Sequence, residues 1–286
     1  MKIRKAIIPV AGLGTRFLPY TKVIPKEMLP IWDIPVIQFI IEEAINSGID
    51  SVLFVTSKEK YTIEDYFDRN FYLEYFLNKS GDKQKLEKLK KIPQNFRIYS
   101  VRQKEARGLG DAILHAEDFI GDDYFSVFLP DDVIFSKVPV MKQMIKIAQK
   151  YKKSVIGIER VSWNQVSSYG IVKPKKIENK VYDVLDLIEK PKRALAFSNL
   201  GIVGRYILPS SIFDYIKNTK PGVNGEIQIT DSLKSLMKNE GLLAYEFEGK
   251  RCDTGNKYDY LIAILTYASM QKNLRKKLKD DIKKIL

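Results

Sequence analysis

The sequence predicts an α/β protein, a mostly parallel sheet flanked by helices, with an elaborated second half. Three observations carry this. Short apolar runs alternate with longer segments of helical period through residues 1–160. The first run ends directly in a glycine turn, Gly12-Leu13-Gly14, as a strand feeding a helix at a ligand-binding edge does. Past residue 160 the rhythm changes to strands with fewer helices between them.

Residues 3–10 are mostly apolar, which suits a buried strand. Pro35 opens a helix with Val36, Ile37, Ile40, Ile41, Ala44 and Ile45 on one side, stopped by Gly48. Residues 51–56 read as a second buried strand, 59–77 as a helix, 97–101 as a strand and 109–119 as a helix ended by Gly121. A strand at 124–129 runs into Pro130-Asp131-Asp132, followed by a helix at 138–151 and a strand at 154–159. In the second half, 169–174, 181–188, 200–207 and 243–247 read as strands. Helices return at 209–217, at 226–239 and from 257 to near the chain end. No Pro/Gly/Ser linker and no internal repeat divides the chain, so one domain is expected over 1–286.

Hydrophobic residues make up 45% and charged residues 29%, which excludes a largely disordered chain. A single Cys, Cys252, excludes a disulfide framework and Cys-rich zinc sites. A single His, His115, excludes multi-His metal sites and leaves chemistry to carboxylates, Lys, Arg and a metal ion. His115 reads as a helix-surface or core histidine, and Cys252 as a small buried hydrophobe. The basic opening is followed by an apolar run broken at Pro9, Gly12 and Gly14, so it is no signal peptide. No stretch approaches the roughly 18 apolar residues of a membrane span. The expectation is a soluble, cytoplasmic protein without a membrane partner.

The net charge of +13 is concentrated in two stretches. Residues 79–91 carry six lysines against Asp82 and Glu87, and residues 270–286 carry seven basic residues against Asp280 and Asp281. Lysines outnumber arginines 37 to 11, and no aromatic residue interleaves with the tail charges. These features favour a solvated loop and a solvated helix face over a nucleic-acid patch. Met270, Leu274, Leu278, Ile282 and Ile285 fall on one face of the tail helix. That face should pack on something, and a homo-oligomer, dimer or tetramer, is expected.

The most informative stretch is Val10-Ala11-Gly12-Leu13-Gly14-Thr15-Arg16. A glycine turn lets backbone N–H groups approach a phosphate, and Arg16 adds a forked cation. Gly-x-Gly alone is an ordinary tight turn. The third glycine of a dinucleotide fingerprint is replaced by Phe17, and the Gly-x4-Gly-Lys pattern is absent. The residues that follow add more. The turn with Arg16, then Pro19, Thr21-Lys22 and Pro25-Lys26-Glu27-Met28-Leu29-Pro30, closely resembles the opening signature of sugar-1-phosphate nucleotidylyltransferases. With Ile37-Gln38-Phe39 and Glu42-Glu43-Ala44 it resembles their bacterial UTP–glucose-1-phosphate uridylyltransferase branch. The resemblance covers nearly the whole chain.

This resemblance implies a Rossmann-like mixed α/β fold and a Mg²⁺-dependent in-line attack. The phosphate of glucose 1-phosphate would attack the α-phosphorus of UTP, giving UDP-glucose and pyrophosphate. Residues 1–160 would mainly bind nucleotide and 161–255 mainly sugar, with 256–286 a C-terminal helix. Ala11, Gly12, Gly14, Thr15, Arg16 and Lys26 would hold the nucleotide phosphates. Gln103 and Gly108 would read the uracil edge. Asp111 departs from the family pattern, where His is frequent, and reads equally as a carboxylate at a helix N-terminus. Asp131, preferred to Asp132 on motif register, and Asp253 of Cys252-Asp253-Thr254-Gly255 would be the metal carboxylates. Carboxylates suit Mg²⁺, a hard ion that bridges phosphates. Gly170, Glu189, Lys190 and Asn199 would bind the sugar phosphate, Glu189 through glucose hydroxyls and Lys190 through the attacking phosphate. Gly201 stands where Ala is more usual. The segment from Asn224 to Asp231 would be a loop and helix start near the substrate or a subunit contact. Arg16, Lys26, Asp131 and Lys190 are the expected catalytic residues. Alternatives are a relative using dTTP and a catalytically silent regulatory homologue; intact Arg16, Lys26, Asp131, Lys190 and Asp253 argue against silence.

Overall fold

Ile3, Ala6, Ile7 and Ile8 are all buried in the first strand, β1 (Ile3–Pro9). Ala6 and Ile8 enter one core and Ile7 the other, as the two-residue period of a strand dictates. The computed structural model describes every residue except 223, 224, 272 and 286, so Asn224 lies outside the described residues. The remaining strands are β2 (Pro30–Ile31), β3 (Ile34–Pro35), β4 (Ser51–Thr56), β5 (Arg97–Arg102), β6 (Tyr124–Phe128) and β7 (Asp132–Phe135). They continue with β8 (Ser154–Arg160), β9 (Gly170–Glu178), β10 (Val181–Glu189), β11 (Leu200–Leu208), β12 (Leu242–Glu246) and β13 (Lys250–Asp253).

Nine of these strands form one sheet in the order β5-β4-β1-β6-β11-β8-β12-β10-β9. β5, β4, β1 and β6 run parallel, and β12 runs parallel to β8. β11 is antiparallel to both β6 and β8, and β10 to both β12 and β9. The mixed sheet follows from the connections: parallel neighbours need helical crossovers, whereas β9 and β10 are joined by a tight hairpin. All nine residues of β11 are buried, because it lies between the two halves of the sheet. The helices Val36–Asn46 and Val140–Tyr151 cover one face, and Gly108–Leu114, Ile212–Lys217 and Ile229–Glu240 cover the other.

Several expected elements are cut differently. The helix expected over 59–77 is two, Tyr61–Phe67 and Phe71–Lys79, because Asp68 is extended and Asn70 caps the second by accepting from the Leu73 N–H. The Lys-rich stretch expected as a loop holds a helix, Lys83–Lys90, started by the Asp82 carboxylate accepting from the Lys85 N–H. The expected 109–119 helix ends at Leu114 and resumes at Glu117–Ile120. The tail is two helices, Lys257–Met270 and Arg275–Ile285, separated where Gln271 turns extended (φ −78°, ψ 114°). No side chain of Arg275–Ile285 is fully buried: Leu278 and Ile282 are half-buried and Ile285 is exposed, so this chain covers its apolar stripe only in part. Among the described residues no helix is long and apolar enough to cross a membrane.

Candidate active site

The chain leaves β6 at its carboxyl end, turns at Pro130-Asp131 and enters β7, which pairs with β13 instead of joining the large sheet. The register sets Asp132 opposite Asp253 and Val133 opposite Cys252. The Thr254 N–H and Oγ1 then both donate to the Asp131 carbonyl, at 2.7 and 3.0 Å, tying the two acidic segments together. A Cβ on Gly255 would lie 2.9 Å from Asp253 Oδ1 and 3.1 Å from Asp131 Oδ2. The two carboxylates therefore converge on one point, which only a glycine leaves open. Lys26 Nζ donates to Asp131 Oδ2 at 2.9 Å, and the Arg16 guanidinium donates to the Gly255 carbonyl at 3.3 Å. Arg16, Lys26, Asp131 and Asp253 are thus one cluster.

Asp131 and Asp132 part company here. Asp132 is 5% exposed, and its oxygens accept from the Gly204 N–H at 2.7 Å and from the Arg251 guanidinium. It holds the frame, while Asp131 faces the cavity. Burial would raise the Asp131 pKa, but Lys26 overrides it and holds the carboxyl below its ordinary value. Burial, aided by the Asp132 charge, pushes Asp253 above it. Burial would lower the Lys26 ammonium, yet Asp131 and Glu27 keep its pKa raised.

Two arginines build the frame. Arg205 is fully buried, pairs with Glu43 at 2.7 Å, and donates to the carbonyls of Leu129 (3.3 Å), Gly204 (2.9 Å) and Asp132 (2.7 Å). It fixes the backbone on both sides of Asp131 to the helix Val36–Asn46, and a buried guanidinium needs that many partners. Arg251 reaches Asp132, the Tyr169 hydroxyl at 3.0 Å and Asp253 at 3.5 Å. Sequence reasoning gave Arg205 no role and missed Arg251. Its one signal was its place beside Cys252-Asp253.

In the glycine turn, Gly14 sits at φ +68°, and a Cβ there would lie 3.2 Å from Lys26 Cβ. The glycine loop and the Lys26 segment pack face to face around a cavity of about 200 Å³ that Thr15, Arg16 and Asp131 also line. A second cavity of about 500 Å³ is lined by Ala11, Leu13, Ser57 and Gln103. Gln103 Nε2 donates to Asp111 Oδ2 at 2.6 Å. Gly108 lies instead against Glu226-Ile227: at φ +92°, its Cβ would come within 2.9 Å of the Ile227 carbonyl.

A further cavity of about 600 Å³ brings Arg16, Asp131 and Asp253 together with Gly170, Glu189 and Lys190. Gly170 and Glu189 are paired across β9 and β10, and a Cβ on Gly170 would lie 3.1 Å from Glu189 Oε2. Thr230, which sequence reasoning did not single out, donates to that oxygen at 2.6 Å. Lys190 has φ +42°, and its half-exposed Nζ lies 3.6 Å from Glu189 Oε1. Asn199 is not brought to the cavity. Its Nδ2 donates to the Val161 carbonyl at 2.9 Å and its own carbonyl accepts from the Val161 N–H, so it ties the turn before β11 to the end of β8. His115 caps a helix end with its ring nitrogen 2.9 Å from the Asp111 carbonyl, and Cys252 is buried.

A family profile described as "Nucleotidyl transferase" matches residues 5–270. The chain belongs to the nucleotidyl transferase family. It is 46% identical to "UTP--glucose-1-phosphate uridylyltransferase 2" of Staphylococcus saprophyticus over 99% of this chain and 98% of that one. Among solved structures it is similar to a UDP-glucose pyrophosphorylase complexed with UDP-glucose (43% identity, TM-score 0.86, 94% of this chain and all of that one). It is also similar in fold to a UTP-bound UGPase from Acinetobacter baumannii (37% identity, TM-score 0.90, 98% of this chain and 99% of that one). Among the described residues no three His, Cys, Asp or Glu side chains gather into a metal cage. A nucleotidyl transferase needs no such cage: two converging carboxylates suit a divalent ion that takes its other ligands from water and phosphate.

Proposed function

We propose that the protein makes UDP-glucose and pyrophosphate from UTP and glucose 1-phosphate. One observation carries this reading. The cations Arg16 and Lys26, the carboxylates Asp131 and Asp253, and the Glu189-Lys190 pair converge on adjoining cavities. The named relatives support it as well.

Arg16 and the glycine-loop backbone bind the triphosphate, and Lys26 sits between the nucleotide and Asp131. An ammonium has three donors, so Lys26 can keep Asp131 and still reach a phosphate oxygen. Lys190 positions the sugar phosphate for attack on the α-phosphorus as the bond to the β-phosphate oxygen breaks. Glu189 accepts from sugar hydroxyls, its Oε2 already oriented by Thr230. Asp131 and Asp253 would hold Mg²⁺, which supplies charge neutralisation for the phosphates. Positioning and electrostatics then do most of the work, without a histidine base. The partly uncovered stripe of the tail helix supports a homo-oligomer.

The test is a pyrophosphate-release assay with each nucleoside triphosphate against glucose 1-phosphate and galactose 1-phosphate. Release with UTP and glucose 1-phosphate, dependent on Mg²⁺, is expected. Release with dTTP alone, or none at all, would sink the reading.

A further inference from the structure

We propose that Asp111 determines base specificity by locking the Gln103 carboxamide in the orientation that accepts uracil and rejects cytosine. This rests on the reading that the substrate is UTP. Gln103 is 7% exposed and lines the cavity that adjoins the glycine loop through Ala11 and Leu13. Its backbone N–H is held by the Thr56 carbonyl at 2.9 Å, which pins the residue at the end of β5. Its Nε2 donates to Asp111 Oδ2 at 2.6 Å, and Asp111 stands in the first turn of the helix Gly108–Leu114 with its side chain 13% exposed. His115 Nδ1 lies 3.7 Å from the same Asp111 oxygen.

A carboxamide is nearly symmetric in shape but not in chemistry. One end accepts hydrogen bonds, the other donates, and a half-turn about the last side-chain bond exchanges them. A carboxylate only accepts. Turning the Gln103 oxygen toward Asp111 would set two acceptors against each other and leave both without a donor. The amino group is therefore committed to Asp111. The oxygen, to which no described residue donates, and the second amide hydrogen remain for the cavity. An adjacent acceptor and donor match the edge of uracil, where N3–H donates beside an accepting O4. Cytosine presents the reverse, an accepting N3 beside a donating amino group. The flipped amide would fit cytosine equally well. Asp111 thus acts through Gln103 as a positioning residue, and it does so because its side chain cannot donate.

Asp111→Asn is nearly isosteric and keeps a hydrogen bond, but it donates as well as accepts and so tolerates both amide orientations. The measurement is kcat/KM for UTP and for CTP at saturating glucose 1-phosphate, in wild type, Asp111→Asn, Asp111→Glu, Gln103→Ala and the Asp111→Asn/Gln103→Ala double variant. Asp111→Asn should lower the UTP-to-CTP ratio at least about tenfold, mainly by gain of CTP use, with the KM for UTP changing less than about threefold because a large share of amides stays correctly oriented. Asp111→Glu, which retains an acceptor-only group, should stay within about threefold of the wild-type ratio. Adding Asp111→Asn to Gln103→Ala should shift the ratio less than about twofold, because the group being oriented is gone. An unchanged ratio in Asp111→Asn, or an equal shift in the Gln103→Ala background, would overturn the proposal. Should Asp111→Asn fail to fold, the Asp111→Glu and Gln103→Ala ratios decide: a wild-type ratio in both overturns it. Absence of UTP turnover in wild type would instead overturn the functional reading itself.

Discussion

At the residue scale the proposed mechanism divides the cations by the anion each would serve. Lys190 lies among the sugar-side residues, and Arg16 between that cavity and the glycine loop. A compact ammonium suits one phosphate, and a guanidinium forks across several oxygens. Lys190→Ala should therefore raise the KM for glucose 1-phosphate and lower kcat, leaving UTP binding little changed, while Arg16→Ala should mainly damage UTP use. Losing one charge-assisted phosphate contact should cost roughly 1.5–3 kcal/mol, about one to two decades in kcat/KM. Steady-state kinetics with each substrate varied in turn, plus calorimetry for UTP, decides this; loss of UTP binding in Lys190→Ala would reverse the assignment. The carboxylates make a second pair of tests. Asp131→Asn and Asp253→Asn should each lose most turnover while remaining folded, since each removes half of the converging charge. Near-normal Mg²⁺-dependent turnover in either would remove that residue as a ligand. The choice of Asp131 over Asp132 was legible only through motif register. Its physical reason, that Asp132 is consumed by Gly204 and Arg251, lies in contacts with segments more than 70 residues away.

At the element scale the decisive feature is the close approach of β11 to the loop carrying Asp131. A Cβ on Gly204 would lie 2.4 Å from Leu129 Cβ and 2.6 Å from Asp132 Oδ2. Neither neighbour is free to move, since Arg205 holds the loop's carbonyls and Arg251 holds Asp132. Gly204→Ala should accordingly destabilise the fold by about 1–3 kcal/mol and lower turnover by displacing Asp131. Urea unfolding alongside the pyrophosphate assay measures both, and an unchanged midpoint would show that the loop yields. The sheet strands were legible because their apolar runs are local: Ser51–Thr56 is buried at every position. The β7–β13 pairing was not legible. Its two four-residue strands lie far apart in sequence and carry no alternating pattern of their own, yet their register places Asp253 opposite Asp132 and so next to Asp131. The break in the expected 59–77 helix falls at Asp68, which is extended, and Asn70, whose side chain caps the second helix. Asn199 shows the converse, a polar residue in a family motif whose side chain is spent on backbone.

At the scale of the whole molecule, one nine-stranded sheet carries the glycine loop on its parallel side and Glu189-Lys190 on its antiparallel side, so one element would position both substrates of the proposed reaction. The basic charge sits away from this, in helices Lys83–Lys90 and Arg275–Ile285. In the latter Leu278 and Ile282, like Leu274 just before it, are only half-buried and Ile285 is 81% exposed. Deleting residues 272–286 should thus alter assembly or thermal stability more than chemistry, as light scattering, melting and kinetics on the truncated protein would show. An unchanged mass and melting temperature with lost activity would contradict that. Transfer of a uridylyl group to glucose 1-phosphate is read directly by ³¹P NMR of the purified protein with UTP, glucose 1-phosphate and Mg²⁺. Resonances of UDP-glucose and pyrophosphate should grow together in equal amounts as both substrates decline. UTP and glucose 1-phosphate remaining unconverted, or UTP declining to UDP and inorganic phosphate without a sugar nucleotide, would contradict it.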